Sequence, residues 1–372
     1  MQMRHKILFL TLRVFSATGG IEKVCRIVGK ALYETGLEEG YGSKIFCLHG
    51  ERLPADSNHY FPQLMFTGFG GHRARFILNS IKASRRARVV MLSHINLLMV
   101  GVLIKLFNPS IKLVMLAHGI EVWDPLPGWK KWMLGRCDLI LPVSQFTRDK
   151  MLELHHLPEN KLQVLNNSLD PFLERPLLPK RTADLLERYG LQADEKILLT
   201  VARMADTEVY KGYDKVIQAL PSLVVGYPSL RYLLVGSYGQ KEKNRLDNLI
   251  RQLGLEKQVI FAGFVPDEEM AAHFNLADIF IMPSEKEGFG IVFIEAMFYG
   301  KPVIAGNIDG SVDALCNGEL GILVDPVNIE EIAAAIQKIL ANPGKFLPDA
   351  EKLQEHFGYT SYKRRLNEFL NA

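Results

Sequence analysis

Residues 283–297 read PSEKEGFGIVFIEAM and follow directly on an apolar run, ADIFIM, at residues 277–282. The run predicts a buried strand that stops at the proline. After two glycines that flank Phe289, an almost wholly apolar segment from Ile291 to Tyr299 predicts a buried helix, which the sequence GKP at 300–302 ends. A strand, a loop and a helix in this order are typical of an α/β protein.

Two carboxylates stand out in this segment. Glu295 is the only charge within the helix pattern, and a glutamate is rarely buried without a partner. Glu287 lies in the loop before the helix, where the backbone amides of the helix start favour an anion. One interpretation is structural, with Glu287 as a cap and Glu295 in an internal pair. The other is a site with amide donors for a phosphate and carboxylates for hydroxyl groups, which are the groups that a nucleotide sugar combines.

The pattern Glu-x7-Glu, written EGFGIVFIE at residues 287–295 and followed by GKPVIA at residues 300–305, resembles the signature of glycosyltransferase family 4. That family consists of retaining enzymes that use nucleotide sugars. Its fold is GT-B, an α/β architecture in which two doubly wound Rossmann-like domains face each other across a cleft. The resemblance extends over nearly the whole chain and implies this fold for it.

Size and composition agree with a two-domain globular protein. The chain has 372 residues, 48% of them hydrophobic and 23% charged, and a formal net charge of +3, which is too small to indicate a nucleic-acid partner. The four cysteines are scattered without a Cys-x-x-Cys pair, which predicts free thiols in a reducing compartment, and no metal motif occurs. The first apolar run is too short for a signal peptide, so we expect a cytoplasmic protein.

The longest apolar stretch, residues 89–107, raises the question of a membrane span. Polar residues interrupt it, and we expect a strand over 89–92 and a buried helix over 97–107 instead.

The first half of the chain offers two candidate positions for donor contacts. A strand over residues 7–11 is followed by Gly19-Gly20 and a predicted helix over 21–34, an order that lets backbone amides approach a phosphate, although a plain tight turn would look the same. His118 follows a strand over 112–117, at the end where open α/β sheets bind ligands. The resemblance implies that the glycine loop touches the donor diphosphate and that His118 lies near the donor sugar. A structural histidine is the alternative.

A basic amphipathic helix is predicted near residue 80. Its basic residues are His72, Arg73, Arg75, Lys82, Arg85, Arg86 and Arg88. They form either a solvated helix face or a surface for anionic lipid head groups or a lipid-diphosphate acceptor. The sequence WKKW at residues 129–132 has the same character, so peripheral contact with the inner face of a membrane is the functional alternative.

Arg203 and Lys211 occupy the second half, one at the end of a strand over 196–202 and the other just before a helix. An arginine can hold a phosphate with two parallel bonds, and a lysine adds a point charge. The resemblance implies that both neutralise the leaving diphosphate, so that no metal is required. Their spacing is longer than is usual in the family, and we expect the loop over 204–210 to act as a local lid.

The resemblance also implies a role for each part of the chain. Residues 1–170 are expected to bind the acceptor, residues 171–355 the nucleotide sugar, and residues 356–372 to form a helix that crosses back to the first domain. Prolines 171, 176 and 179 mark the linker.

The same resemblance implies the donor contacts of the second domain. Glu295 would accept from the ribose hydroxyls and Glu287 would hold the donor sugar. The amides of Phe289, Gly290 and Ile291 would donate to sugar or phosphate.

One loop departs from the family. Residues 307–313 read NIDGSVD where the family has Gly-Gly-x-x-Glu, so only Gly310 is kept from the pair and Asp313 stands for the glutamate. This loop faces the donor sugar in the family, so the sequence does not determine which sugar the donor carries.

The expected function is that of a retaining hexosyltransferase. It would move a sugar from a UDP- or GDP-sugar to a glycan or lipid-linked acceptor in cell-surface polysaccharide or glycolipid synthesis, without a cofactor or metal. The alternative is a nucleotide-sugar-binding protein of the same fold that has a small-molecule acceptor or no transferase activity. A phosphorylase of this fold would be far longer, and an inverting epimerase lacks the Glu-x7-Glu helix.

Overall fold

The computed structural model describes residues 5–15, 19–51, 59–174 and 181–372. The chain divides into two compact units. The first consists of Met1–Pro171 together with Phe357–Ala372, and the second of Phe172–His356. The linker prolines 176 and 179 lie outside the described residues.

The first unit is built on a six-stranded, all-parallel sheet in the order β3-β2-β1-β4-β5-β6. β4, β5 and β6 are buried along almost their whole length, as expected of strands covered on both faces. The strands are β1 His5–Thr11, β2 Gly42–Cys47, β3 Phe66–Gly68, β4 Val89–Leu92, β5 Lys112–Ala117 and β6 Leu139–Pro142. The helices are α1 Gly20–Glu39, α2 Arg73–Ser84, α3 Leu98–Phe107, α4 Gly128–Leu134 and α5 Gln145–His155.

The second unit repeats this plan. Its helices are α6 Ala183–Tyr189, α7 Tyr213–Val224, α8 Gln240–Gln252, α9 Asp267–Leu276, α10 Ile291–Phe298, α11 Ser311–Ala314, α12 Ile329–Ala341 and α13 Ala350–Phe357. Its strands are β7 Ile197–Val201, β8 Arg231–Val235, β9 Val259–Gly263, β10 Ile279–Met282, β11 Val303–Gly306 and β12 Ile322–Val324. They form a parallel sheet in the order β12-β11-β10-β7-β8-β9.

Both sheets have the same doubly wound topology. In each unit the first strand lies in the middle, with the next two strands on one side and the last three on the other. The strand order therefore reverses between β1 and β4, and again between β7 and β10. Ligands of such sheets bind outside the carboxyl ends of the strands at this reversal point. The expectation of two doubly wound α/β domains is confirmed.

Each unit has its own apolar core. In the first, alternate residues of β1, such as Leu8 and Leu10, pack with Phe76 of α2, Leu98 of α3 and Met133 of α4. These helices thus cover one face of that sheet.

The core of the second unit is similar. Residues of its central strands, such as Ile279 and Ile281, pack against α7, α8 and α12. This core includes Met204 of the loop after β7, so it also fixes the start of that loop.

The last helix, α14 Tyr359–Asn371, belongs to the first unit. The hydroxyl of Tyr359 donates to Glu34 of α1 at 2.8 Å, and Lys363 donates to Glu38 at 2.6 Å. The backbone amide of Leu169 also donates to the carbonyl of Phe357 at 2.9 Å. The end of the chain is therefore tied to α1 and to the segment that closes the first unit.

Two elements differ from the sequence expectations. The stretch over 49–71, for which no strand was predicted, contains β3, which pairs with β2 through Phe66 and Thr67. Such a short edge strand has no apolar run of its own, and its conformation depends on its neighbour. Helix α1 continues five residues beyond Glu34, because Thr35 and Gly36 are buried and Gly40 ends it in a left-handed conformation. In the described part of the chain no helix is long and apolar enough to cross a bilayer.

Candidate active site

Three loops meet at the carboxyl edge of the second sheet, following β7, β10 and β11. The backbone amide of Glu285 donates to the carbonyl of Tyr210 at 2.8 Å, and that of Gly310 donates to the carbonyl of Glu287 at 2.8 Å. The loop after β10 is thereby joined to both of its neighbours. The sequence predicts each loop separately, and the sheet order brings them together.

Two glycines make this arrangement sterically feasible. Gly212 has φ +76°, and a Cβ there would lie 2.1 Å from the carbonyl oxygen of Pro283. Gly290, the residue before α10, has φ +83°, and a Cβ would lie 2.3 Å from the ring of Phe293. Both positions require the left-handed conformation and the missing side chain of glycine.

Lys211 and Glu287 form an ion pair between the loops after β7 and β10. Both side chains are largely buried. Burial alone would lower the pKa of Lys211, but the charge and hydrogen bond of Glu287 outweigh it and raise that pKa above its ordinary value. The ammonium group therefore stays charged, with its carboxylate partner in direct contact.

Arg203 does not join that pair. Its Nε donates to Glu208 at 3.0 Å and its Nη2 donates to the other oxygen of the same carboxylate. Hydrogen bonding to Glu208 raises the pKa of Arg203 further. The Arg203 side chain is 67% exposed, whereas that of Glu208 is only 14% exposed. The two predicted diphosphate ligands thus lie on the same loop, but each holds a different carboxylate.

The loop expected to act as a lid is anchored at its start. Met204 is fully buried, its amide donates to the carbonyl of Ser237, and its carbonyl accepts from Gly239, both at 2.9 Å. The rest of the loop, residues 205–210, includes Glu208.

Helix α10 begins directly after the loop that carries Glu287. Phe289 and Ile291 are buried, and their burial fixes the position of the helix start. The first amides of a helix have no carbonyl partner within it, so they provide a place for an anion. Glu295 lies in the second turn of the same helix and is buried. These are the positions to which the resemblance assigns the sugar, phosphate and ribose contacts.

Asp309 is a residue of this site that sequence reasoning missed. It is 1% exposed, and its Oδ2 accepts from Ser284 Oγ and from the backbone amide of Glu287, each at 2.7 Å. Its Oδ1 accepts from the amide of Ser311 at 2.8 Å. Burial raises the pKa of Asp309 to about 6, although the hydrogen bonds oppose the shift. The sequence contained one indication of this role: Asp309 lies in the loop after β11, where the sequence departs from the family.

In the first unit, the candidate residues lie at the ends of β1 and β5. Gly19 is the residue before α1, and its carbonyl accepts from the amide of Lys23 at 3.1 Å. Gly20 is the first residue of that 20-residue helix. Residues 16–18, which precede them in the predicted glycine loop, lie outside the described residues.

His118 is held by two hydrogen bonds at the end of β5. Its Nε2 lies 2.7 Å from the carbonyl oxygen of Ser93, and its backbone amide donates to Glu121 at 2.6 Å. Because a carbonyl can only accept, Nε2 carries the hydrogen and Nδ1 of the neutral ring is the acceptor.

His94 was not predicted either, although it lies two residues after the end of β4. Its Nδ1 accepts from the amide of Asn96 at 3.1 Å. Burial lowers the pKa of His94, and the charge of Glu121 acts in the opposite direction. The carboxyl ends of β4 and β5 therefore carry two imidazoles in the first unit.

Possible metal ligands are not clustered. Within residues 5–15, 19–51, 59–174 and 181–372, no three histidine, cysteine, aspartate or glutamate side chains are grouped so that they could hold an ion. All four cysteines are free thiols, three of them buried.

Comparison with known families matches both units. Residues 18–171 match the model described as Glycosyltransferase Family 4, and residues 182–364 match the one described as Glycosyl transferases group 1. The chain therefore belongs to the family 4 type of glycosyltransferases, and its two doubly wound domains are those of the GT-B fold.

Individual relatives agree with this assignment. A GDP-mannose-dependent alpha-(1-6)-phosphatidylinositol monomannoside mannosyltransferase of Mycolicibacterium smegmatis is 32% identical over 62% of this chain and 62% of its own length. A D-inositol 3-phosphate glycosyltransferase of Thermobispora bispora is 29% identical over 59% of this chain and 52% of its own. The chain thus aligns with only about half to three-fifths of these relatives.

A solved structure extends the similarity of the fold to the full chain. HepE of Anabaena, in complex with UDP and glucose, superposes with a TM-score of 0.79 at 21% identity and covers 99% of both chains.

Proposed function

We propose that this protein is a retaining hexosyltransferase that uses a nucleotide sugar. The observation that carries the proposal is the Lys211–Glu287 pair beside the start of α10, at the carboxyl edge of the second sheet. That edge combines a cation, a carboxylate and helix-start amides, which are the groups needed for a diphosphate that is linked to a sugar.

The proposed chemistry follows from charge. As the sugar–phosphate bond breaks, negative charge grows on the diphosphate and positive charge on the sugar ring. Lys211 and Arg203 stabilise the negative charge on the diphosphate. The carboxylate of Glu287 stabilises the positive charge on the sugar ring while it holds sugar hydroxyls. Glu295 accepts from the two ribose hydroxyls. With cations supplied by side chains, the leaving diphosphate needs no metal.

His118 has a role in the first unit. With Nε2–H donated to the carbonyl of Ser93, its Nδ1 is available to accept from a sugar hydroxyl. Gly19 and Gly20 provide close backbone approach to the diphosphate.

The donor is a GDP- or UDP-hexose. The Mycolicibacterium relative is described as GDP-mannose-dependent, and Anabaena HepE was solved with UDP and glucose. We expect the nucleotide base of the donor to be the same as that used by one of these two proteins. The sugar is expected to depend on the loop over 307–310, where this chain has its own sequence.

The acceptor is a glycan or a lipid-linked sugar, used on the cytoplasmic face of a membrane in polysaccharide or glycolipid synthesis. The two relatives act on a phosphatidylinositol mannoside and on an inositol phosphate, judged by their names. Surface residues of the first unit support a lipid-linked acceptor. Helices α2, α3 and α4 cover one face of the sheet and expose the large apolar side chains Leu78, Met99, Leu106, Phe107, Trp129 and Trp132. Basic residues of α2 are exposed on the same face.

The test is turnover of a panel of UDP-, GDP- and ADP-hexoses with α-linked sugars, followed by NMR of the product. We expect one nucleotide series to be used, an α-linked product, and activity that survives excess EDTA. A β-linked product would contradict retention. Binding of the nucleotide sugar without transfer or hydrolysis would favour the non-catalytic alternative.

A further inference from the structure

We propose that Asp309 is a positioning residue for Glu287, and that it fixes the direction from which this carboxylate meets the donor sugar. The inference rests on the proposed function, since it assigns Glu287 to the sugar. It adds a residue that stands where the family pattern has the first glycine of a pair, so it concerns a feature of this chain.

The Asp309 carboxylate is surrounded by hydrogen-bond donors. Its Oδ2 accepts from Ser284 Oγ and from the amide of Glu287, both at 2.7 Å, and its Oδ1 accepts from the amide of Ser311 at 2.8 Å. The hydroxyls of Ser284 and Ser311 are 3.1 Å apart, and both serines are fully buried. The carboxylate thus joins the loops after β10 and β11 through buried hydrogen bonds.

The backbone of Glu287 is held on both sides. Its amide donates to Asp309, and its carbonyl accepts from the amide of Gly310 at 2.8 Å. Both backbone polar groups of Glu287 are therefore hydrogen-bonded to consecutive residues of the neighbouring loop. Such a backbone leaves the side chain few directions in which to extend, and the observed one ends on Lys211.

The burial of Asp309 has an energetic cost. A carboxylate that is 1% exposed loses its hydration, and burial raises the pKa of Asp309 to about 6. A buried charge of this kind is costly, and apolar packing would be a cheaper way to hold a loop. The reason to keep a carboxylate is that it can accept from three donors at once and so define the loop geometry within narrow limits.

The test is a double-mutant cycle in kcat with Asp309→Asn and Glu287→Gln, measured with isotopically labelled donor so that slow turnover is still detected. A carboxamide could accept at one oxygen only, so we expect D309N to lower kcat by about tenfold or more with a small change in donor KM. In the E287Q background the same change should alter kcat by less than about twofold, because the residue that is positioned has already lost its charge.

The matched control is Asp278→Asn. Asp278 accepts from the amide of Ile197 at 2.8 Å at the opposite edge of the same sheet. D278N is expected to lower the melting temperature without a kcat effect that depends on residue 287. Equal effects of D309N in the wild-type and E287Q backgrounds would overturn the proposal, as would wild-type kcat in D309N. If the wild type uses no nucleotide sugar, the proposed function itself has failed.

Discussion

At the residue scale, the proposed function gives the two glutamates of the site different roles. Glu295 is buried within the second turn of α10, whereas Glu287 lies in the loop before the helix and contacts Lys211. A contact with ribose is the same before and during bond cleavage, but a contact with the reacting sugar strengthens as charge develops. The two glutamates are therefore expected to affect different kinetic parameters.

We predict that Glu295→Gln mainly raises the donor KM and that Glu287→Ala mainly lowers kcat. Loss of a charge-assisted contact to the reacting sugar typically costs about 2–4 kcal/mol, or roughly 30- to 1,000-fold in rate. Steady-state kinetics with varied donor measure both. A Glu287→Ala variant that keeps full kcat while Glu295→Gln abolishes it would reverse the two assignments. Circular dichroism of each variant controls for folding.

At the element scale, the loop after β7 presents Arg203 with a carboxylate already bound. Glu208 engages the guanidinium through both oxygens, as a phosphate would. If Arg203 holds the donor diphosphate as proposed, the diphosphate would compete with Glu208 for the guanidinium, and the loop would have to adjust when the donor binds.

We predict that Glu208→Gln tightens the binding of the nucleoside diphosphate. The guanidinium is well exposed, and exposed pairs are worth about 0.2–1 kcal/mol, so the gain in affinity should be about 1.4- to 5-fold. Calorimetry at two salt concentrations measures it, and the gain should shrink as salt rises. Asp206→Asn is the control, since Asp206 lies on the same loop but pairs with Lys241. Weaker binding in E208Q would instead mean that Glu208 orients Arg203 for the donor.

Helices α2, α3 and α4 carry the other prediction at this scale. Trp129 and Trp132 are 58% and 53% exposed, on a short helix that also contains two lysines. Such a surface suits the boundary between lipid head groups and acyl chains.

We predict that the protein floats with anionic vesicles at low salt and that the Trp129→Ala/Trp132→Ala variant does so less. Raising the salt concentration should weaken the association of both, because screening shortens the reach of the basic residues. Leu347→Ala removes an apolar side chain of similar exposure from the second unit and should have no effect. If the wild type does not bind at low salt, the basic face is simply solvated and a water-soluble acceptor is favoured.

At the scale of the whole molecule, the sequence by itself determined the architecture. Runs of apolar residues alternating with helical patterns predict parallel strands joined by helices, and this period is a local property of the chain. The same holds for helix α10, which was predicted from its apolar pattern and from the glycine and proline that follow it. Strand β3 was not predicted, because three residues at a sheet edge are too few to show a periodic pattern.

The tertiary structure alone decided which charged groups meet. The sequence placed Lys211 and Arg203 together as two cations, but the order of strands β7 and β10 brings Lys211 to Glu287 and leaves Arg203 with Glu208 on its own loop. Asp309 is a similar case, since its donors lie on the loops after β10 and β11. The contacts of Lys211 with Glu287 and of Asp309 with the loop after β10 depend on distances between segments far apart in the chain. The local sequence pattern carries no information on those distances. By contrast, the alternation of buried and exposed residues that defines a strand or a helix can be recognised within a few consecutive residues.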